Sequence, residues 1–177
     1  MEKGIETYTI SFKGLKEGEH TFEFTISDAL LESFDEEDIQ DVACTAHVTL
    51  IKKSTLLELF VSIDGHLHVP CDRCLDPVTI PVDFNGELYV TFSEREGAES
   101  EELWVVDPTE HELDLSRYFY ESLRISIPLQ CIHPDDEEGF STCNSEMLSR
   151  LEKHQQTDDT EDKMDPRWSE LKKLMGN

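Results

Sequence analysis

The chain has 177 residues with 40 acidic and 15 basic side chains, a formal net charge of −25. A field of that sign repels a phosphate backbone at long range, so direct, nonspecific nucleic-acid binding is disfavoured, and the only adjacent basic pairs are Lys52-Lys53 and Lys172-Lys173. No run of ~18 apolar residues occurs and Met1-Glu2-Lys3-Gly4 is not a basic, apolar leader, which predicts a cytoplasmic protein that neither spans a membrane nor is exported.

The length suits one domain with a proper core plus a tail. Near the start, Tyr8, Ile10 and Phe12 alternate, as do Phe22, Phe24 and Ile26 with Gly18 in between, predicting an opening hairpin. An acidic stretch over 28–41 interrupts this pattern and holds a helical turn around Leu30, Leu31 and Phe34. A strand over 42–51 follows. Cys44 is in phase with Val42, Ala46, Val48 and Leu50, so it reads as a small buried hydrophobe. Leu57, Leu59, Val61 and Ile63 then alternate into Asp64-Gly65, a pair suited to a type I′ hairpin turn. The return strand over 66–69 delivers Cys71 just beyond its end. A further strand over 79–84 leaves that turn, and Leu88, Val90 and Phe92 suggest its neighbour.

Residues 93–102 read as an acidic mobile loop before a short strand over 103–106. Leu115, Tyr118, Phe119, Ser122 and Leu123 recur at helical spacing, with Asp114 as candidate N-cap and Pro128 beyond the end. After Cys131, an acidic excursion over 135–139 precedes Cys143, and Asn144 or Ser145 caps a short helix carrying Met147, Leu148 and Leu151. The expected organisation is one β-rich domain over 1–154, a polar linker over 155–164 and an amphipathic helix over 165–177. In that helix Asp165 caps, Pro166 takes the first turn, and Trp168, Leu171, Leu174 and Met175 form one stripe. Asp165, Pro166, Arg167, Trp168 and Leu171 are therefore candidate partner-binding residues, the alternative being a lid that returns to its own domain. The fold class expected is α+β: mainly antiparallel sheet, or a partly open barrel, covered by one or two helices and followed by a flexible C-terminal tail.

The most specific chemical signal is Cys71-Asp72-Arg73-Cys74, because two thiolates spaced C-x2-C can grip one metal from a single tight turn. Cys131 and Cys143, spaced C-x11-C, complete four soft ligands of a closed zinc site, each arriving from a different local element. His68 or His133 are alternatives for one of the thiolates. A thiol redox couple would need a helix N-terminus after the first cysteine, whereas Pro77, Val78, Ile80 and Val82 read as turn and strand. The odd number of cysteines, 5, also favours reduced thiols over a disulfide framework. Neither a phosphate-gripping glycine loop nor a nucleophile elbow is present, and histidine–carboxylate pairs suited to a hydrolase arise easily by chance in this composition.

Together, Cys71-x-Arg73-Cys74-Leu75-x-Pro77, the helix from Leu113-Asp114-Leu115 through Leu123 to Ile127-Pro128-Leu129, the later cysteines and Asp165-Pro166-Arg167-Trp168 with Leu171 resemble the bacterial and plastid YceD family, over roughly residues 40–177. The resemblance implies a role in accumulation of large-subunit ribosomal RNA. Many relatives carry a denser second cysteine cluster than Cys131 and Cys143 provide, and others lack part of it. The expectation is a non-enzymatic assembly factor, zinc-bound, whose acidic surface meets a basic ribosomal protein or precursor ribosomal particle rather than bare RNA. The alternatives are a zinc-dependent RNA-binding module and a thiol oxidoreductase.

Overall fold

In the computed structural model, residues 7–93 and 103–155 are described. The expected loop beyond residue 93, the linker and the helix over 165–177 lie outside them. Short strand β1 (Thr9–Ile10) is followed by β2 (Gly18–Ile26), helix α1 (Asp28–Glu32), and the long strands β3 (Gln40–Lys52), β4 (Leu56–Pro70) and β5 (Pro77–Phe92). Then come β6 (Leu103–Val106), β7 (Leu113–Asp114), α2 (Ser116–Ser126) and α3 (Ser145–Gln155). Two compact units emerge, Met1–His133 and Pro134–Asn177.

The first unit is built on an open five-stranded sheet in the order β2-β3-β4-β5-β6, not a barrel. Its first four strands are antiparallel neighbours, but β6 runs parallel to β5, with Tyr89 opposite Leu103. The opening hairpin is not formed: β1 pairs with β7, Thr9 opposite Asp114, while β2 pairs with β3. Both outcomes are long-range choices that alternation along one strand does not encode.

Nor does Asp64-Gly65 turn the chain. Strand β4 passes straight through it, paired on both sides, with Gly65 opposite Cys44 in β3 and Val82 in β5. The alternation carried a sign of this: Leu57, Leu59, Val61, Ile63, Leu67 and Val69 are all buried and all odd-numbered, so the phase never breaks. Gly65 instead permits close approach of β3, pairing with Cys44 in regular register just before the shift between Gln40 and Ala43. At φ +148° it lies so close to the neighbouring strand that a Cβ would strike the Ala43 carbonyl oxygen and come 2.6 Å from Cys44 Cα. Likewise 79–84 and 88–92 are one strand, not two neighbours. Gly86 continues it and leaves room for Tyr118, whose hydroxyl would lie 2.5 Å from an added Cβ.

One face of the sheet is apolar and takes α2. Asp114 supports the start of that helix, its Oδ1 accepting from Ser116 N (2.8 Å) and Ser116 Oγ (2.6 Å). Tyr118, Phe119, Ser122 and Leu123 form its buried stripe. Phe119 is fully buried, edge-on to Tyr8 at 5.7 Å and tilted against Phe24 at 5.5 Å. Burying so large a ring contributes on the order of 3 kcal/mol before the aromatic geometry is counted. The helical turn expected near Leu30 is α1, capped by Ser27 (Ala29 N to Oγ, 3.4 Å), and Phe34 beyond it stacks on Tyr120 of α2 at 4.4 Å.

In the second unit the chain doubles back, with Asp135 bridged to Ser141, and enters α3 at Asn144. Its Oδ1 accepts from Glu146 N at 3.1 Å, as an N-cap should. No described helix is long and apolar enough to cross a membrane.

Two measurements probe this core. Gly65→Ala should lower unfolding free energy by about 2–4 kcal/mol in urea titrations, because the clash is with backbone that cannot move aside. Burial, helped by the charge of Asp64, pushes the Cys44 thiol up to about 11 from 9.0. A folded state that holds this proton more tightly keeps its full contribution below the unfolded value and loses it as pH climbs from 9.0 towards about 11. Wild-type protein should therefore lose about 2–3 kcal/mol more than Cys44→Ala across that window, read by denaturant midpoints at each pH.

Candidate metal centre

Strands β4 and β5 end at the Pro70–Pro77 pair, and residues 71–76 make the turn between them. Cys71 N donates to Asp76 O (2.9 Å) and Leu75 N to Cys71 O (2.9 Å), winding the segment into a knuckle. Leu75 completes it at φ 65°, in the left-handed region. The winding turns both sulfurs inward: Cys71 is 0% and Cys74 1% exposed.

Burial alone would raise the Cys71 thiol. Hydrogen bonds from the backbone amides of Arg73, Cys74 and His133, and from the His133 side chain, outweigh it and bring the group down to about 6 from 9.0. Cys71 is thus a thiolate at neutral pH, the form that ligates metal. His133 faces the same point. Its Nε2 lies 3.1 Å from the Pro77 carbonyl oxygen, which can only accept, so Nε2 keeps a proton there and Nδ1 is the atom left to ligate a metal, on giving up the proton it shares with Cys71. That Nδ1 is 3.5 Å from Cys74 Sγ. Sulfur and nitrogen bound to one tetrahedral zinc at their usual bond lengths stand ~3.6 Å apart, so the spacing fits. The ligand atoms of Cys71, Cys74 and His133 lie within 4.8 Å of one another. Two thiols and an imidazole so placed can hold a metal ion.

Cys131 has another arrangement. Its Sγ donates to Pro128 O at 3.4 Å, and burial, then the charges of Asp72 and Cys71, push its thiol up, favouring the protonated form that makes that bond. Its backbone is what matters to the knuckle: Asp72 N donates to Cys131 O (2.7 Å) and Asp72 Oδ2 accepts from Cys131 N (2.6 Å). This two-point clasp fixes residue 131 and so brings His133, two positions on, against Cys74. Asp72 carries no ligand signature in the sequence, and only the fold reveals its part.

Cys143 belongs to the second unit and is buried at 6% exposure. His68, the other histidine considered for a thiolate's place, is engaged elsewhere through Nε2, 2.9 Å from Thr79 Oγ1, while its buried Nδ1 makes no hydrogen bond among the described residues. Cys44 is buried on β3, as its phase predicts, and no disulfide forms among the described residues, which include all five cysteines. The candidate partner-binding residues Asp165, Pro166, Arg167, Trp168 and Leu171 lie outside the described residues.

Residues 59–175 match the family described as large ribosomal RNA subunit accumulation protein YceD. Neither a curated protein nor a solved structure matches the chain.

Because Asp72 holds His133 in place and is not one of the clustered ligands, Asp72→Ala should weaken affinity for an added divalent metal about 10–100-fold in competition with a chromophoric chelator. Cys131→Ser should retain zinc at wild-type stoichiometry, whereas Cys74→Ser should lose it.

Proposed function

The chain belongs to the YceD family of large ribosomal RNA subunit accumulation proteins, and from that premise we propose that it is a non-enzymatic, cytoplasmic assembly factor. It acts through a basic ribosomal protein or a precursor ribosomal particle. The observation that carries this reading is the buried knuckle: ligands with no exposed sulfur suit a metal that holds structure, not one that turns over substrate.

In this reading the metal is zinc, held by Cys71, Cys74, His133 and Cys143. The support for Cys143 is the course of the chain after His133. The neighbour of His133, Pro134, accepts a hydrogen bond from Thr142 Oγ1 at 2.6 Å, and Thr142 immediately precedes Cys143. The doubled-back segment therefore returns Thr142, the neighbour of Cys143, to Pro134 at the start of its own unit. Three thiolates and one neutral imidazole would place a net charge of about −1 on the zinc site, with Nε2 fixed by Pro77 O as the outer partner such a ligand requires. The same inaccessibility argues against a thiol oxidoreductase: a substrate disulfide has no path to a sulfur that is 0% exposed.

Net charge sets the partner. A protein at −25 meets basic polypeptide favourably and bare RNA unfavourably, so its effect on ribosomal RNA runs through protein. The segment Asp165-Pro166-Arg167-Trp168 with Leu171 supplies a second contact, its tryptophan the anchor.

Zinc-loaded protein should show no measurable affinity for protein-free large-subunit RNA at physiological ionic strength, and should bind at least one basic large-subunit protein with an affinity that falls as salt rises. Removing residues 165–177 should weaken that capture while leaving the melting temperature nearly unchanged. Tight, metal-dependent binding to the bare RNA would replace this reading with a zinc-dependent RNA-binding module.

A further inference from the structure

The knuckle also shapes a surface that metal binding does not use. Val69, Pro70, Leu75 and Pro77 line a cavity of about 200 Å³ together with Glu37, Asp38, Gln40 and His68. Ligand pockets for cofactors and drug-sized molecules run ~300–1,000 Å³, so this one admits a single long side chain. Among the described residues, no lysine or arginine lines it.

Leu75 is informative here. Its backbone sits at φ 65°, where glycine or asparagine is the low-cost choice, yet a leucine occupies it with 68% of its surface exposed. Neither the turn nor the core requires that side chain. Its apolar surface is held out, at some cost in backbone strain, beside two carboxylates.

The carboxylates are held on a stiff segment. Glu36, just before them, accepts from Tyr120 Oη (3.0 Å), Arg124 Nη1 (2.8 Å) and Asp38 N (3.2 Å), and its side chain is only 8% exposed. Asp35 and Asp41, at φ 52° and 49°, bend the chain on either side. Glu37 and Asp38 have no ion-pair partner among the described residues. Apolar side chains and two exposed carboxylates, unpaired among the described residues, lining one cavity match one chemistry.

We propose that this groove seats an arginine side chain of the basic protein partner, its methylene stem along Pro70, Leu75 and Pro77 and its guanidinium between Glu37 and Asp38. Arginine suits the site better than lysine because its planar, weakly hydrated head lies against apolar surface and offers several donors to two carboxylates. The inference rests on the basic partner of the proposed function and names where that partner is gripped.

The test is a ¹H–¹⁵N NMR titration of the full, zinc-loaded chain with acetyl-Leu-Arg-Leu-amide and with its citrulline counterpart, which keeps the shape and removes the charge. Amide shifts should cluster at Glu37, Asp38 and Leu75 with the arginine peptide and be absent with citrulline. The double variant E37Q/D38N and, separately, Leu75→Asn should each weaken binding roughly five- to tenfold. Asparagine tolerates the left-handed conformation, and unchanged zinc content would show that knuckle intact. Shifts spread over the acidic surface, equal binding of the citrulline peptide, or unaltered affinity in both variants would overturn the proposal. So would a basic large-subunit protein that binds wild type and variants alike, a result that leaves the proposed function standing. If the arginine peptide seats in the groove but no basic large-subunit protein binds the chain at all, the groove holds and the proposed function falls.

Discussion

The pairing of β4 with β5 is the constraint on which the rest of this protein depends. All 15 residues of β4 are in register with β5, from Leu56 opposite Thr91 to Pro70 opposite Pro77. A slip of one residue would turn every side chain to the wrong face, exposing Leu57, Leu59, Leu67 and Leu88 and burying their polar neighbours. It would also offset the two ends of the turn, so that Cys71 and Cys74 would not face inward together. Core and candidate metal centre are thereby specified by the same ladder: β4 and β5 supply apolar surface at one end and a pair of thiols at the other.

The knuckle shows how a chain so rich in negative charge can concentrate more of it. Thiolates are costly to bury, and backbone amides at Arg73, Cys74 and His133 offset that cost at Cys71 by donating into the sulfur. Asp72 adds another anion at the surface but directs its carboxylate at the Cys131 amide, away from the ligands. A divalent metal among these groups would neutralise what the amides only moderate, which is why chemistry of this kind couples metal loss to loss of structure.

Acidity and membership in a family concerned with ribosomal RNA are reconciled if recognition is by protein. The surface around the knuckle has the elements this needs: a backbone tied down through Glu36, an exposed apolar side chain and exposed carboxylates. A sheet open on one face and closed by α2 on the other keeps that surface independent of the core, so changes at Leu75 or Glu37 alter contacts without disturbing packing around Phe119.

Alternation and helical spacing were enough to identify which segments are extended, though not that β4 and β5 each run unbroken, and α2 with its buried stripe, the burial of Cys44 and the C-x-x-C turn between strands, because each depends on neighbours within a few residues. The family, too, was legible in local motifs. Which strands pair was not: Asp64-Gly65 suits a turn and equally a strand position where another backbone approaches closely, and only the presence of β3 and β5 on both sides of β4 decides between them. The parallel placement of β6 and the union of β1 with β7 are likewise properties of distant partners. In the candidate site, Cys71 and Cys74 declare themselves by spacing, whereas His133, one of two histidines read as alternatives to a thiolate among the seven in the sequence, is selected by Pro77 and by the clasp of Asp72 on residue 131. Those contacts span more than fifty positions of chain, and no local pattern records them; the tertiary structure alone decides which imidazole meets the thiols.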